Sequence, residues 1–420
     1  MLWYGDGSWR RWGVKEEVVL GQKPAFGIRR SAFGKYNSTP PELRTPNTER
    51  RVKMSDASQK IVLAMSGGVD SSVAAALLRR EGFQVIGVFM RLGTPKGVET
   101  CATDGHKQGC CSVLDADDAR RVAQRLDIPF YVLNFEEDFA RVIDYFVDEY
   151  NRGRTPNPCI RCNDWLKFGK LTDYAKAVGA DFVATGHYAR VGVDPVTGET
   201  AMLRGLDHAK DQSDVLFGIN RELLKRIRLP IGEFKKADVR KMAEELELPV
   251  YNKPDSQEIC FVPDQDYAAL LKRRAPESVR EGELVSSDGK TIGRHDGHQN
   301  FTIGQRKGLR IAMGKPVYVV EIDSEANRVV LGSKEELLRS ELVARGVNSL
   351  SSRLAPGCTI KCQARIRHKH EPAEAVATLD DAGELRVRFE IPQPAITPGQ
   401  AVILYDGEVL LGGGWIEKSL

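Results

Sequence analysis

The sequence predicts an α/β protein: a parallel sheet with helices on both faces, followed by a small central module and a C-terminal β-barrel. Three observations predict it. Short apolar runs alternate with amphipathic helical segments from Lys60 to Leu246, the pattern of a parallel sheet covered on both sides. Beyond Pro263, glycine-punctuated short runs replace that alternation, as in mainly β domains. The chain's 420 residues leave room for two or three domains.

In order, Ile61–Met65 reads as a buried strand, followed by a glycine turn and a helix carrying Val73-Ala-Ala-Ala-Leu-Leu78. Val85–Met90 is a second strand, Asp115–Leu126 a helix, Phe130–Phe135 a strand and Glu136–Tyr150 a helix. Trp165–Val178 is helical and leads into a strand over Asp181–Thr185. A last helix over Lys236–Leu246 places Val239, Met242, Ala243 and Leu246 on one face. The β region follows with runs at Gly282–Val285, Pro316–Val320, Arg328–Leu331, Thr359–Arg367, Glu384–Phe389 and Ala401–Leu404. These transitions divide the chain into 1–57, an N-terminal extension; 58–262, a catalytic domain; 263–335, the central module; and 336–420, the barrel.

Composition excludes several classes. The chain is 41% hydrophobic and 28% charged, ordinary for a soluble globular protein. No apolar run is long enough to span a bilayer, and the opening residues lack a signal-peptide pattern, so no membrane partner is expected. Eight cysteines are too few for a disulfide scaffold, which points to a reduced, cytoplasmic protein whose thiols are available for chemistry. The net charge of +3 is local: residues 1–53 carry 11 of the 61 basic and five of the 58 acidic residues. The rest is slightly acidic, so bulk charge does not argue for nucleic acid. The extension shows no sustained period and is broken by Pro40, Pro41 and Pro46. It is expected to be disordered or dispensable, with Met54 as an alternative start; the rival is an RNA-binding arm using Trp3, Trp9 and Trp12.

Ser66-Gly-Gly-Val-Asp-Ser-Ser72 lies between a strand and an alanine-rich helix. Gly67 and Gly68 permit a tight turn and close backbone approach. The helix start offers unpaired N–H groups to a phosphate, and Ser66, Ser71 and Ser72 add hydroxyls. The string lacks the Gly-Lys-Ser/Thr ending of the Walker loop and the spacing of a dinucleotide fold. It resembles the PP-loop ATP pyrophosphatases, which split ATP into AMP and pyrophosphate to adenylate a second substrate. That resemblance implies ATP contacts at Ala64, Met65, Ser66, Gly67, Gly68, Val69, Asp70 and Ser71. Asp70 would help place Mg2+ on the departing pyrophosphate, and Met90 would meet the adenine.

Cys159-Ile-Arg-Cys162 sits in a proline-stiffened loop, Thr155-Pro-Asn-Pro158 preceding it. Cys162 falls just before the helix expected to start near Asp164, where the dipole favours a thiolate. Cys260 lies far along the chain in Ser256-Gln-Glu-Ile-Cys-Phe-Val262. Both are in polar loops at the carboxyl edge of the sheet, where ligands bind in such folds.

Seven motifs occur in order: the phosphate loop, Gly153-Arg-Thr-Pro-Asn-Pro158 with Cys162-Asn163, Thr185-Gly-His-Tyr188, Lys210-Asp-Gln-Ser213, Lys253-Pro-Asp-Ser-Gln-Glu-Ile-Cys-Phe261, Phe301-Thr-Ile-Gly-Gln-Arg-Lys-Gly308 and Pro398-Gly-Gln400. Together they resemble the bacterial tRNA 2-thiouridylase family over about residues 58–420. The resemblance implies that ATP adenylates O2 of the wobble uracil and that Cys260 carries a persulfide whose terminal sulfur attacks the activated carbon. Cys162 then closes a disulfide with Cys260. The implied partners are tRNA and a sulfur donor such as a cysteine desulfurase or a sulfur-relay protein. Asn157, Pro158 and Cys159 match the site of the extruded base, Gly186 a nucleotide contact, and His187, Lys210, Asp211, Gln212, Arg367, His368 and Gln400 tRNA contacts.

One departure stands out. A well-known form of the family has Asp, assigned to proton handling, where Cys159 stands. A C-x-x-C pair plus a distant cysteine also allows Cys159, Cys162 and Cys260 to hold three irons of a four-iron cluster that delivers sulfide, or a structural zinc. Two further readings remain open: a PP-loop ligase or amidotransferase adenylating a small molecule, and a non-catalytic RNA-binding protein. Local basic clusters, Lys272-Arg-Arg274, Arg306-Lys307 with Arg310, and Arg365 to His370, offer phosphate neutralisation. Cys101, Cys110 and Cys111 fall in a segment read as a loop, and Cys358 and Cys362 are expected to pack in the barrel.

Overall fold

The computed structural model describes residues 2–3, 9–10, 59–93, 113–255, 259–262, 266–309, 311, 314–368 and 370–420. The chain divides into two units, residues 1–58 and 59–420. In the first, strands β1 (Leu2–Trp3) and β2 (Trp9–Arg10) pair antiparallel. The rest of the expected extension, and Cys101, Cys110 and Cys111, lie outside the described residues.

The second unit begins with a five-stranded sheet. Its strands are β3 (Lys60–Ala64), β4 (Gln84–Arg91), β5 (Phe130–Asn134), β6 (Phe182–Ala184) and β9 (Ile227–Arg228). The order is β5-β4-β3-β6-β9 and every pairing is parallel. Ile61, Val62 and Leu63 are fully buried on both faces, as a central parallel strand requires, each worth roughly 1.5–3 kcal/mol of burial. Helix α1 (Val69–Arg80) follows β3; its alanines are good helix formers and let it lie close on the sheet. Helices α2 (Val113–Arg125) and α3 (Glu136–Asn151) follow β4 and β5. The chain steps outward from β3 to β5, then returns to place β6 on the other side of β3. That reversal opens a crevice beyond the carboxyl ends of β3 and β6, the usual ligand position.

After β5 and α3 the backbone is helical without a break from Pro158 to Ala177: α4 (Pro158–Cys162), a π-helical stretch (Asn163–Lys170) and α5 (Leu171–Ala177). The predicted start near Asp164 is corrected to Pro158. Asn157 caps this end by accepting from Ile160 N at 3.3 Å, and Pro158 occupies the first helical position, where its missing N–H costs nothing.

Strands β7 (Ala189–Val193) and β8 (Thr200–Arg204) form a hairpin that sequence periodicity did not reveal. Helix α6 (Lys236–Glu245) packs on α1, and α7 (Tyr267–Arg274) opens the central module. There β10 (Gly282–Ser286), β11 (Thr291–His295), β12 (Tyr318–Asp323) and β13 (Arg328–Gly332) form a mixed sheet around Leu284, Val319, Val329 and Leu331.

The last six strands are β14 (Leu338–Ser349), β15 (Thr359–Arg365), β16 (Ala373–Leu379), β17 (Leu385–Pro394), β18 (Ala401–Asp406) and β19 (Val409–Ser419). They run in the order β14-β17-β16-β15-β18-β19, and β14 pairs back onto β19 to close a barrel. The β7–β8 hairpin joins the same sheet through β19. Cys362 packs in the barrel core, where burial pushes its thiol up to about 12. Among the described residues no helix is long and apolar enough to cross a membrane.

Candidate active site

β3 ends at Ala64 and the chain turns through Ser66-Gly67-Gly68 into α1. Gly67 has φ of +72°, and a Cβ there would lie 2.2 Å from the carbonyl oxygen of Asp115, so only glycine fits. Ser66 N donates to Ser71 Oγ at 3.1 Å. The hydroxyls of Ser71 and Ser72 both reach Gly68 O, at 3.3 and 2.7 Å. Ser71 and Ser72 are buried and brace the turn, while Ser66 is exposed on the cavity wall.

Two lysines tie this loop to later segments. Lys236, at the start of α6, places Nζ 2.8 and 2.9 Å from the two oxygens of Asp70, and 2.8 Å from Asp255. Tyr188 also donates to Asp70, at 2.9 Å. Burial acts against the charge of Asp255, but bonds from Lys236 and Lys210 and the charge of Arg240 outweigh it and hold the carboxyl below its ordinary range. Lys253 donates to Gly67 O at 3.0 Å, Asp115 at 2.6 Å and Asp118 at 2.7 Å. Sequence reasoning quoted Lys253 only as part of a motif and missed Lys236. A carboxylate such as Asp70 is the hard oxygen donor that Mg2+ prefers, and here both of its oxygens are held by Lys236.

The early helix start changes the electrostatics of the thiols. The positive end of the helix lies at Pro158 and Cys159, and Cys162 sits a full turn inside, so the dipole argument applies to Cys159 and not to Cys162. Directly after Cys162 the ladder widens to the π form, a feature common at functional sites. Gly169 permits it: a Cβ there would meet Asp164 O at 3.0 Å. Between the two cysteines, Arg161 stacks its guanidinium 3.9 Å from the ring of Trp415, with Tyr145 at 5.0 Å and Trp165 at 5.2 Å.

The loop before this helix is clamped by the barrel. Arg154 bonds Glu149 and Glu417, both at 2.8 Å. Thr155 N donates to Pro398 O at 2.9 Å, and Gln400 Nε2 donates to the carbonyls of Thr155 and Pro156, each at 3.1 Å. Gln400, matched to a tRNA contact, thus braces the loop. Asp211, matched likewise, is enclosed: it accepts from Gly205 N, Ser213 N and Ser213 Oγ and pairs with Arg204 and Arg365 at 3.4 Å. Arg367 and His368 are exposed, and Lys210 is exposed beside Asp255 at 3.2 Å.

A cavity of about 470 Å³ occupies the crevice. Ala64, Met65, Ser66, Met90 and Gly186 line it near the phosphate loop. Asn157, Pro158, Cys159, Cys162 and Cys260 line it too, as do His187, Gln212 and His368. The structure therefore gathers in one space the residues read as nucleotide, base and thiol sites. Gly186 carries no side chain because a Cβ would lie 2.7 Å from Ser71 N; Gly67, Gly68, Val69, Asp70 and Ser71, also expected to meet ATP, do not line the cavity. His187 is buried between Thr185 Oγ1 at 2.7 Å and Lys167 Nζ at 3.5 Å. Burial first, then the Lys167 charge, pushes its pKa well below the ordinary value, so the ring is neutral. Sequence reasoning missed Lys167, which carries no motif signal beyond its place after Cys162.

No disulfide joins the described cysteines, so the expected Cys162–Cys260 bond is not present in this structure. Among the described residues no three His, Cys, Asp or Glu side chains come together as a metal-binding group. Cys159, Cys162 and Cys260 line the cavity but are not drawn into the close cluster a four-iron centre or a zinc ion requires, and the expected ligand set does not fit.

The sequence matches three domain models: a tRNA methyl transferase HUP domain over residues 59–264, a tRNA methyl transferase PRC-barrel domain over 268–333, and an aminomethyltransferase beta-barrel domain over 339–416. Among its relatives is the tRNA-specific 2-thiouridylase MnmA of Rhodopirellula baltica, 48% identical over 389 residues, covering 86% of this chain and 97% of that protein. The MnmA of Carboxydothermus hydrogenoformans is 49% identical over 363 residues, covering 86% and 98%. That of Clostridium perfringens is 46% identical over 363 residues, covering 86% and 99%. Identity at this level, along nearly the whole of each relative, places the chain in the tRNA-specific 2-thiouridylase MnmA family.

Proposed function

We propose that this chain is an ATP-dependent tRNA sulfurtransferase that replaces O2 of the wobble uridine with sulfur, acting in the cytoplasm. One observation carries the reading: a single cavity is lined by Ser66, where the phosphate loop begins, and by Cys159, Cys162 and Cys260. A nucleotide and a flipped base can meet there beside the thiols. Family membership supports the same activity, and nothing in the cavity favours a small-molecule ligase.

ATP enters as its magnesium complex, with the adenine beside Met90 and the phosphates over Ser66 and the start of α1. Asp70 is the carboxylate that would hold the magnesium, which offsets charge on the departing pyrophosphate. The target base occupies the end formed by Asn157, Pro158 and Cys159. Its O2 bonds to the α-phosphorus as the α–β phosphoanhydride breaks and pyrophosphate leaves. The terminal sulfur of a Cys260 persulfide then bonds to C2, and AMP departs. Cys162 thiolate attacks the Cys260 sulfur, leaving sulfur on C2 and closing a transient disulfide that an external dithiol reduces. Lys167 and neutral His187 line the same space and would contact the activated base. A cysteine desulfurase or sulfur-relay protein loads Cys260.

In this reading residues 58–262 form the catalytic domain, 263–335 the central tRNA-contacting module and 336–420 the barrel, with residues 1–57 not needed for catalysis. Lys210, Arg367 and His368 meet tRNA, whereas Asp211, Gln212 and Gln400 hold the surrounding loops in place. The test is nucleoside analysis of tRNA incubated with the chain, ATP and a persulfide donor. 2-Thiouridine should form only with ATP, and Cys260→Ser should abolish it while AMP formation persists. Thiolation without ATP, or undiminished in Cys260→Ser, would sink the reading.

A further inference from the structure

The cavity beyond the sheet is short of charge. Among the described residues its wall includes no aspartate or glutamate, and Lys167 is its one lysine or arginine. The two histidines on the same wall do not alter that balance. His187 is neutral, and Asp214 lies 2.8 Å from the ring of His368, so any charge on that ring is matched. The ammonium groups that reach the phosphate loop are paired as well: Lys236 with Asp70 and Asp255, Lys253 with Asp115 and Asp118. Lys167 differs. Among the described residues no carboxylate forms an ion pair with it, and its polar neighbour is the uncharged ring of His187, 3.5 Å away. An ammonium only donates, so His187 Nε2 is the acceptor and Nδ1–H donates to Thr185 Oγ1 at 2.7 Å.

The backbone explains how Lys167 reaches this wall. It stands five residues after Cys162, in the π-helical stretch Asn163–Lys170. In a regular α-helix, residues five apart point about 140° away from each other. With i→i+5 bonding, five residues close roughly one turn, which brings Lys167 onto the face of Cys162, and both line the cavity. On its other side, His187 follows Gly186, and Gly186 packs on the phosphate loop so closely that a Cβ would lie 2.7 Å from Ser71 N. Lys167 thus joins the thiol side of the cavity to the phosphate side. A cation enclosed there without a carboxylate is matched to an anionic ligand.

We propose that Lys167 is a catalytic residue whose ammonium neutralises the α-phosphoryl group in both chemical steps. The inference rests on the sulfur-transfer reading and adds the group that meets the phosphoryl charge. As O2 bonds to the α-phosphorus and the α–β phosphoanhydride breaks, charge spreads over the non-bridging oxygens. Once sulfur has added to C2, the C2–O2 bond breaks and AMP leaves with a second negative charge on the same phosphate. A cation already in place in a largely apolar cavity stabilises both charges without reorganisation. Lys167 keeps its proton throughout, and neutral His187 leaves the full ammonium charge available to the phosphate.

The experiment uses the full chain, unmodified tRNA and ATP with magnesium, and follows pyrophosphate and AMP in a single turnover at saturating tRNA. Lys167→Met should slow pyrophosphate formation by about 100-fold or more, with ATP and tRNA affinities held within about threefold. Lys167→Arg, which keeps the charge, should recover part of the rate. ATP analogues with sulfur in place of one non-bridging α-oxygen give a readout that a merely structural role does not move. The wild-type chain should use the two diastereomers at rates differing about tenfold, and in Lys167→Met the difference should fall to about twofold. A variant that adenylates at the wild-type rate, loses only tRNA affinity, or keeps the full diastereomer preference would overturn the assignment. A wild-type chain that forms no pyrophosphate with tRNA would instead remove the sulfur-transfer reading itself.

Discussion

The guanidinium of Arg161 lies 3.9 Å from the ring centroid of Trp415. The first residue belongs to the helix that carries Cys159 and Cys162, the second to β19 of the barrel. With Arg154 on Glu417 and Gln400 on Thr155 and Pro156, it forms a clamp through which the barrel sets the position of the thiols. The C-terminal domain thereby holds the segment that carries Cys159 and Cys162.

Trp415→Ala removes a ring that is buried against Arg161, Tyr145 and Phe217. Denaturant unfolding should show a loss of about 3–5 kcal/mol. Arg161→Lys keeps the charge but not the planar stack. It should slow 2-thiouridine formation while leaving ATP affinity, measured by calorimetry, at the wild-type value.

Gly67→Ala forces a side chain onto a φ of +72° and against the Asp115 carbonyl. The turn must open, and the phosphate cradle opens with it. ATP affinity should fall at least about tenfold, or about 1.4 kcal/mol, by titration calorimetry. Wild-type affinity in this variant would mean that phosphates do not sit on the turn.

Gln400→Ala removes two bonds to the loop before Cys159 and touches nothing else in the cavity. Adenylation of tRNA should fall, because the base site shifts, whereas binding of ATP alone should not. Equal losses in both would place the residue in the nucleotide site.

Asp255 links Lys210, Lys236 and Arg240. Its pKa in the folded chain is depressed, so its stabilising effect is present above the ordinary carboxylate pKa, about 3.9, and is lost as pH falls through the lower folded value. Lys236→Met should therefore destabilise the protein at neutral pH, with the gap to wild type shrinking below about pH 4. A gap that stays constant through that range would show that the ion pair is not what Lys236 contributes.

Much of this was legible in the sequence because the signals are local. The run Ile61–Met65, the glycine pair and the alanine-rich stretch each fall on one side of one turn, so the strand, loop and helix could be read together. The thiol helix was misread at its start because two prolines around Asn157 suggest a loop, although the second proline and the asparagine cap are what begin the helix. The β7–β8 hairpin was not read from the sequence although its own pairing is local; its attachment to the barrel, through Leu203 and Val409, joins residues some two hundred positions apart. Asp211 looked like a surface contact in a polar string, yet it is buried between Arg204 and Arg365, the second of which comes from a distant strand. Lys236 and Lys253 escaped for the same reason: each acquires meaning only when the fold brings it to Asp70 or Gly67.

The most direct test is peptide mass spectrometry of the full chain, quenched with a thiol-blocking reagent after one turnover with tRNA, ATP and a persulfide donor in the absence of reductant. The account predicts a linkage between the sulfurs of Cys162 and Cys260 that appears in step with each 2-thiouridine formed. Thiolated tRNA accompanied by two blocked, never-linked thiols would contradict it.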